Sequence, residues 1–165
     1  TVKYHLRFNE NKKFMELENV DLTQAVDAKT LDKSLKGLKW IHKKYSTKPE
    51  YELKKLLEIK DIILKDQSNK IIISDYQILS FLTKNKNFAP NKWFDPLSIP
   101  NETNDFFQEY KNFFVSRLLE QKISNIYIID ESKLEIFLPI FDKKNCYLQT
   151  RLNEIAVKLE ISKCI

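Results

Sequence analysis

Hydrophobic and polar positions alternate strictly near the start of the chain. Val2, Tyr4, Leu6 and Phe8 face one way and Lys3, His5 and Arg7 the other. That period predicts a half-buried strand over residues 2–8. Asn9-Glu10-Asn11 reads as a turn in a chain that rarely uses glycine, and residues 12–17 as a strand pairing back. Asp21 is placed to cap a short helix through Asp27, and Thr30 or Asp32 a further turn. Gly37 opens a short extended run over residues 38–41. Pro49 then sits at a first helical position with acids behind it, a helix start. Leu53, Leu56, Leu57, Ile63 and Leu64 give that helix an apolar face, and it should stop near residues 66–69.

Two short β-branched runs follow a different pattern. Residues 71–73 and 126–129 are continuously apolar, the mark of strands buried on both faces. Ser74-Asp75 should cap a helix running to about residue 83. Residues 85–100 carry Pro90, Pro96 and Pro100 and read as irregular. A helix should start at Asn101 or Thr103, with Phe106, Phe107, Tyr110, Phe113, Phe114 and Leu118 at helical spacing as core packing. Residues 134–141 read as a short helix or extended segment, 150–156 as helix, and 157–161 as a helical turn or strand. Helix, buried strand, helix, buried strand is an α/β alternation. The expectation is a single domain over residues 1–165. Its architecture would be three-layer α/β/α, with a mostly parallel sheet and an N-terminal antiparallel or edge strand.

Composition narrows the function classes. The 165 residues are 42% hydrophobic and 31% charged, a globular balance. The longest apolar run, residues 136–141, is far below the roughly 18–20 residues a membrane helix needs. One glycine excludes glycine-rich phosphate loops, and two histidines with two cysteines are too few for most self-contained zinc sites. No metal and no cofactor is expected. Net charge is +5, with 28 Lys and Arg spread among 23 acids. Arg, the residue suited to bidentate phosphate contacts, occurs only at positions 7, 117 and 151. No nucleic-acid partner is therefore expected. The excess of Lys, Asn and Ile over Arg and Ala matches AT-rich coding.

In open α/β sheets ligands bind beyond the carboxyl ends of parallel strands. Those ends place Ser74, Asp75, Tyr76 and Gln77 after the first buried strand, Asp130, Glu131 and Ser132 after the second, and His42 as a further candidate after residues 38–41. Convergence of these hydroxyl, amide and carboxylate groups would suit a sugar or phosphate. The competing reading makes Ser74, Asp75 and Ser132 helix caps alone. Lys92 and Trp93, in the long loop, add a cation beside an aromatic that either stacks on a sugar or folds over the core. No nucleophile, base and orienting group fall within one motif, so no catalytic residue is assigned. Neither His5 nor His42 has a partner at metal spacing. Cys146 and Cys164 either bond to each other, closing a loop worth about 3 kcal/mol, or remain two thiols.

Several stretches together carry a resemblance. They are residues 4–9, 13–17, 20–22 and 25–28, then Leu35-Lys36-Gly37-Leu38-Lys39-Trp40-Ile41, then Ile73-Ser74-Asp75-Tyr76-Gln77, Pro90-Asn91-Lys92-Trp93 and residues 126–129. The set resembles the C-terminal soluble domain of polytopic membrane proteins of marine alphaproteobacteria, themselves similar to dolichyl-phosphate-mannose–protein mannosyltransferases and related type C glycosyltransferases. The resemblance implies a bacterial inner-membrane protein whose C-terminal domain faces the periplasm, where Cys146 and Cys164 would meet oxidising conditions. It implies a lipid-phosphate-linked sugar donor, and the membrane part of the same polypeptide as partner. This domain would be non-catalytic, binding a glycan or acceptor or bracing the membrane part. The family's catalytic carboxylate lies in an early loop between membrane helices, so none is carried onto these residues. A start at Thr1 with a sole Met15 fits a piece of a longer polypeptide. The alternative is a free-standing small α/β enzyme binding a sugar or nucleotide.

Overall fold

The computed structural model describes residue 17 and residues 19–161, apart from 88, 92, 131 and 142–145. The strand expected over residues 2–8, all but Leu17 of that expected over residues 12–17, and His5, Lys92, Glu131 and Cys164, lie outside the described residues. The chain divides into two compact units, residues 1–57 and 58–165.

In the first unit, a two-stranded antiparallel ribbon pairs β1 (Val26–Asp27) with β2 (Lys39–Trp40). Short 3-10 turns surround it. Asp21, Asp27 and Asp32 each accept from the backbone N–H two residues on, at 2.9, 2.9 and 3.0 Å. These are the Asx caps that such residues form when they precede a turn. Gly37, at φ +89°, makes the reversal into β2. Val20, Ala28, Leu31 and Leu35 are buried. Helix α1 (Pro49–Lys65) begins in this unit and continues through the division. Pro49 stands at its start, Glu50 and Glu52 in its first turn and Lys65 in its last, an arrangement that opposes the helix dipole at both ends.

The second unit holds a mixed α/β arrangement around a four-stranded sheet ordered β3-β4-β6-β5. The strands are β3 (Lys70–Ile73), β4 (Asn125–Ile129), β5 (Tyr147–Asn153) and β6 (Ala156–Ile161). The helices are α2 (Ile78–Leu82), α3 (Phe107–Glu120) and α4 (Ser132–Phe137). β3 and β4 run parallel, with Ile71 opposite Ile126 and Ile73 opposite Ile128. Both other pairings are antiparallel. The sheet is therefore mixed, and the expectation of a mostly parallel sheet is corrected. The reason is local. Residues 150–156 form no helix, because Val157 and Leu159 alternate with Lys158 and Glu160 and lock β6 onto β4. The preceding segment then folds back as a hairpin strand, with Ile155 N donating to Asn153 Oδ1 in the turn.

Ile71, Ile73, Ile126, Ile128, Val157 and Leu159 share one sheet face and pack with Phe94, Phe114, Leu118 and Phe137. Phe114 and Phe137 meet edge to face at 5.1 Å, and Phe94 lies edge-on to both at about 6 Å. The aromatic stripe on α3 is only partly core. Phe114 and Leu118 are buried, but Phe106 is 72% and Phe113 43% exposed. Here the helix starts at Phe107, because Asn101 and Asn104 divert their side chains to the N–H groups of Thr103 and Phe106 in successive turns.

Helices α2 and α3 end alike. Lys84 and Lys122 take left-handed conformations, φ +51° and +52°. Lys84 N donates to Phe81 O and Asn85 N to Ser80 O; Lys122 N donates to Leu119 O and Ile123 N to Leu118 O. Each is a Schellman closure with lysine in the place glycine usually takes.

Candidate functional site

Residue Asp66 ends α1 and organises the amino ends of the parallel strands. Its Oδ2 accepts from Tyr127 Oη at 2.7 Å and Asn125 Nδ2 at 2.8 Å, and its Oδ1 from Ser68 N at 2.8 Å. Asn125 Nδ2 also donates to Ser68 Oγ at 2.8 Å, and the buried Lys70 donates to the carbonyl oxygens of Asp66 and Ser68. Partial burial pulls the Asp66 carboxyl upward. The hydrogen bonds from Ser68, Tyr127 and Asn125 outweigh that and bring its pKa to about 2. Burial, followed by the bond to Asp66, pushes the Tyr127 phenol up. This network ties α1 to β3 and β4 at the end of the sheet away from where ligands bind in α/β folds.

At the carboxyl end of β3 the chemistry differs. An open cleft of about 740 Å³ lies along β3, α2 and the following loop. Ile72, Phe81, Ala89, Pro90 and Phe94 supply its apolar surface. Ser74, Gln77, Ser80, Asn85 and Asn91 supply hydroxyl and amide groups, and Lys84 the cation. The polar groups are partly pre-committed. Ser74 Oγ accepts from Tyr76 N at 2.8 Å, which leaves its hydroxyl hydrogen to donate. Asn91 Oδ1 accepts from Tyr110 Oη at 3.1 Å, so its amide NH₂ is the end left for a ligand. Burial pushes the Tyr110 phenol well above its ordinary value, which keeps it a donor. Asn85 Nδ2 donates to Asn87 O at 2.8 Å, leaving its carbonyl oxygen to accept.

Beside the cleft, Lys133 fastens the loop that forms one wall. Its Nζ donates to Phe94 O at 2.9 Å and pairs with Asp75 Oδ1 at 2.9 Å. Lys133 is in the first turn of α4, where the helix dipole disfavours a cation. The carboxylate and carbonyl around it offset that. Asp95 lies in the same field. Hydrogen bonds from Ser98 Oγ and the Leu97 N–H, with Lys133 nearby, hold its carboxyl below the ordinary range.

The structure thus separates the residues named from sequence. Ser74 and Gln77 line the cleft, and Gln77 Nε2 also donates to Ser74 O at 3.3 Å. Asp75 holds Lys133, and Tyr76 contributes its backbone N–H to the Ser74 turn. Asp130 takes a left-handed conformation, φ +81°, and its carboxylate accepts from Ser132 N at 3.3 Å, closing the turn into α4. Trp93 is 52% exposed and outside the cleft lining. Its neighbour Phe94, 3% exposed, is the aromatic that enters the core. Cys146 is buried. Sequence reasoning missed Lys133, Ser80, Lys84, Asn85 and Asn91. Lys133 had a signal, a lysine in the first turn of a helix, against the dipole. The others are ordinary polar residues that only the fold gathers.

Elsewhere, in the first unit, Glu52 is fully buried. It accepts from Trp40 Nε1 at 2.8 Å, and its other oxygen stands 3.8 Å from His42 Nδ1. Among the described residues there is no cluster of three or more metal-ligating side chains, and no helix is long and apolar enough to cross a membrane. Comparison of the chain with family models, curated proteins and solved structures gives no match.

Proposed function

We propose that this chain is a non-catalytic glycan-binding domain, serving a membrane glycosyltransferase from the periplasmic side. The observation that carries the binding reading is the cleft beside β3. It pairs hydroxyl and amide groups with apolar and aromatic surface, the combination that matches the alternating polar edges and apolar faces of a pyranose ring. The described lining residues include no carboxylate for general acid–base work, and Asp75 is occupied by Lys133. Both observations favour binding over turnover, and so this reading over a free-standing enzyme. The membrane setting and the lipid-linked donor rest on the sequence resemblance.

We also infer that the sheet is the middle of three layers. In support, Ile126 and Ile128 pack toward α3 while the intervening Tyr127 reaches the end of α1 from the other face.

Titration of the ¹⁵N-labelled chain with a panel of oligosaccharides tests the binding reading. The expected result is shifts centred on Ser74, Gln77, Ser80 and Asn91, with no product formed on prolonged incubation. Absence of any sugar-dependent shift rejects it. An antiserum against this domain should detect the native polypeptide in the membrane fraction at a mass well above 19.7 kDa. A soluble species of this mass alone rejects the membrane setting.

A further inference from the structure

We infer that the cleft beside β3 takes an anionic saccharide, a sugar bearing a carboxylate or phosphate, with Lys84 as its charge partner. This rests on the glycan-binding reading and narrows it.

Lys84 is the single ionisable side chain among the described lining residues, so the formal charge facing a ligand there is positive. A neutral sugar needs no such charge, and a cationic one would be repelled by it. The neighbouring polar groups are biased the same way. Asn91 has its carbonyl held by Tyr110 and turns an NH₂ to the cleft. Ser74 has its lone pair engaged by Tyr76 N and keeps an O–H to give. Lys84, Asn91 and Ser74 are thus three donors, while Asn85 offers an acceptor for a sugar hydroxyl. Donors that include an ammonium favour an anion over a neutral acceptor.

The Schellman closure fixes where the ammonium originates. Two backbone hydrogen bonds, from Lys84 N to Phe81 O and from Asn85 N to Ser80 O, hold Lys84 between two other lining residues, Phe81 and Asn85. The ring would lie toward Phe81, whose side chain is exposed at the cleft, and its charged substituent toward Lys84.

Affinity measured by the same ¹⁵N titration tests this with methyl glucoside, glucuronate, glucose 6-phosphate and inorganic phosphate as probes. The expected order places glucuronate or glucose 6-phosphate about tenfold tighter than methyl glucoside, a preference that fades as sodium chloride rises. Which of the two binds better distinguishes a carboxylate ligand from a phosphate one. Lys84→Gln should erase the preference, while Lys84→Arg retains most of it. A well-dispersed spectrum of each variant establishes that it is folded. Equal binding of neutral and anionic sugars overturns the inference and leaves the glycan reading standing. So does a preference that survives Lys84→Gln. Inorganic phosphate binding as tightly as the sugar phosphate overturns the saccharide. Failure of every sugar to bind overturns both readings.

Discussion

The nearly buried ammonium of Lys133 lies 2.9 Å from the mostly exposed carboxylate of Asp75, with side-chain exposures of 7% and 58%. The two ends of the pair are therefore unequal. Lys133→Met strips the partner from Phe94 O and should destabilise the fold by about 1–3 kcal/mol. Asp75→Asn returns an exposed group to water and should cost under about 1 kcal/mol. Urea denaturation of both variants measures the asymmetry. Amide exchange in residues 89–99 should rise in Lys133→Met, because the loop loses its tie. Equal losses from the two substitutions would refute the tie as drawn.

Acid should weaken the second unit through Asp66. Its folded pKa, about 2, is below the 3.8 of an unperturbed carboxyl. A depressed folded value stabilises the native state fully above pH 3.8 and loses that contribution as pH falls toward 2. The urea midpoint of the native chain should therefore drop through this window, and Asp66→Asn should flatten the drop. Tyr127→Phe, which deletes the 2.7 Å hydrogen bond, should cost about 1.5–3 kcal/mol at neutral pH and raise the Asp66 pKa. A pH dependence identical in native chain and Asp66→Asn would remove Asp66 from this role.

Adjacent aromatics on α3 should behave oppositely. Phe114→Ala opens the aromatic core and should cost about 3–5 kcal/mol. Phe113 is 43% exposed and contacts the Arg117 guanidinium at 5.7 Å, so Phe113→Ala should cost within about 1 kcal/mol. Thermal unfolding of the pair reports which face of the helix is inward.

Lys122→Gly should stabilise the chain by about 0.5–1 kcal/mol, since a left-handed residue without Cβ relieves the steric cost that lysine bears there. Chemical denaturation measures it. A loss of stability would mean that the lysine side chain contributes more than its backbone conformation costs.

These same residues show how far the sequence could be read. The helix beginning at Pro49 and the strands at 71–73 and 126–129 were legible, because proline, acids and β-branched runs act locally. The start of α3 was not. Asn101 and Asn104 look like caps, but each closes its own turn first. The β5 strand was hidden because its identity comes from pairing with β6, and residues 150–156 carry no β signal of their own. Ser74 and Gln77 were found by the rule that ligands gather at carboxyl ends of strands. Lys84 and Asn91 were not, since a loop residue becomes a lining residue only once the chain has folded around β3. Lys133 was overlooked, although its position against the α4 dipole already implied a compensating carboxylate.

The order β3-β4-β6-β5 also dictates an assembly sequence. The β5–β6 hairpin closes across a two-residue turn, while Tyr127 must find Asp66 across 61 positions of chain. Loop-closure entropy makes the first event quick and the second slow. During synthesis β3 emerges long before β4, its neighbour in the sheet, so its run of isoleucines waits for that strand to pair with it. Until then the nascent chain carries an exposed, aggregation-prone segment, and its yield should depend on chaperone supply more than on the stability of the finished fold.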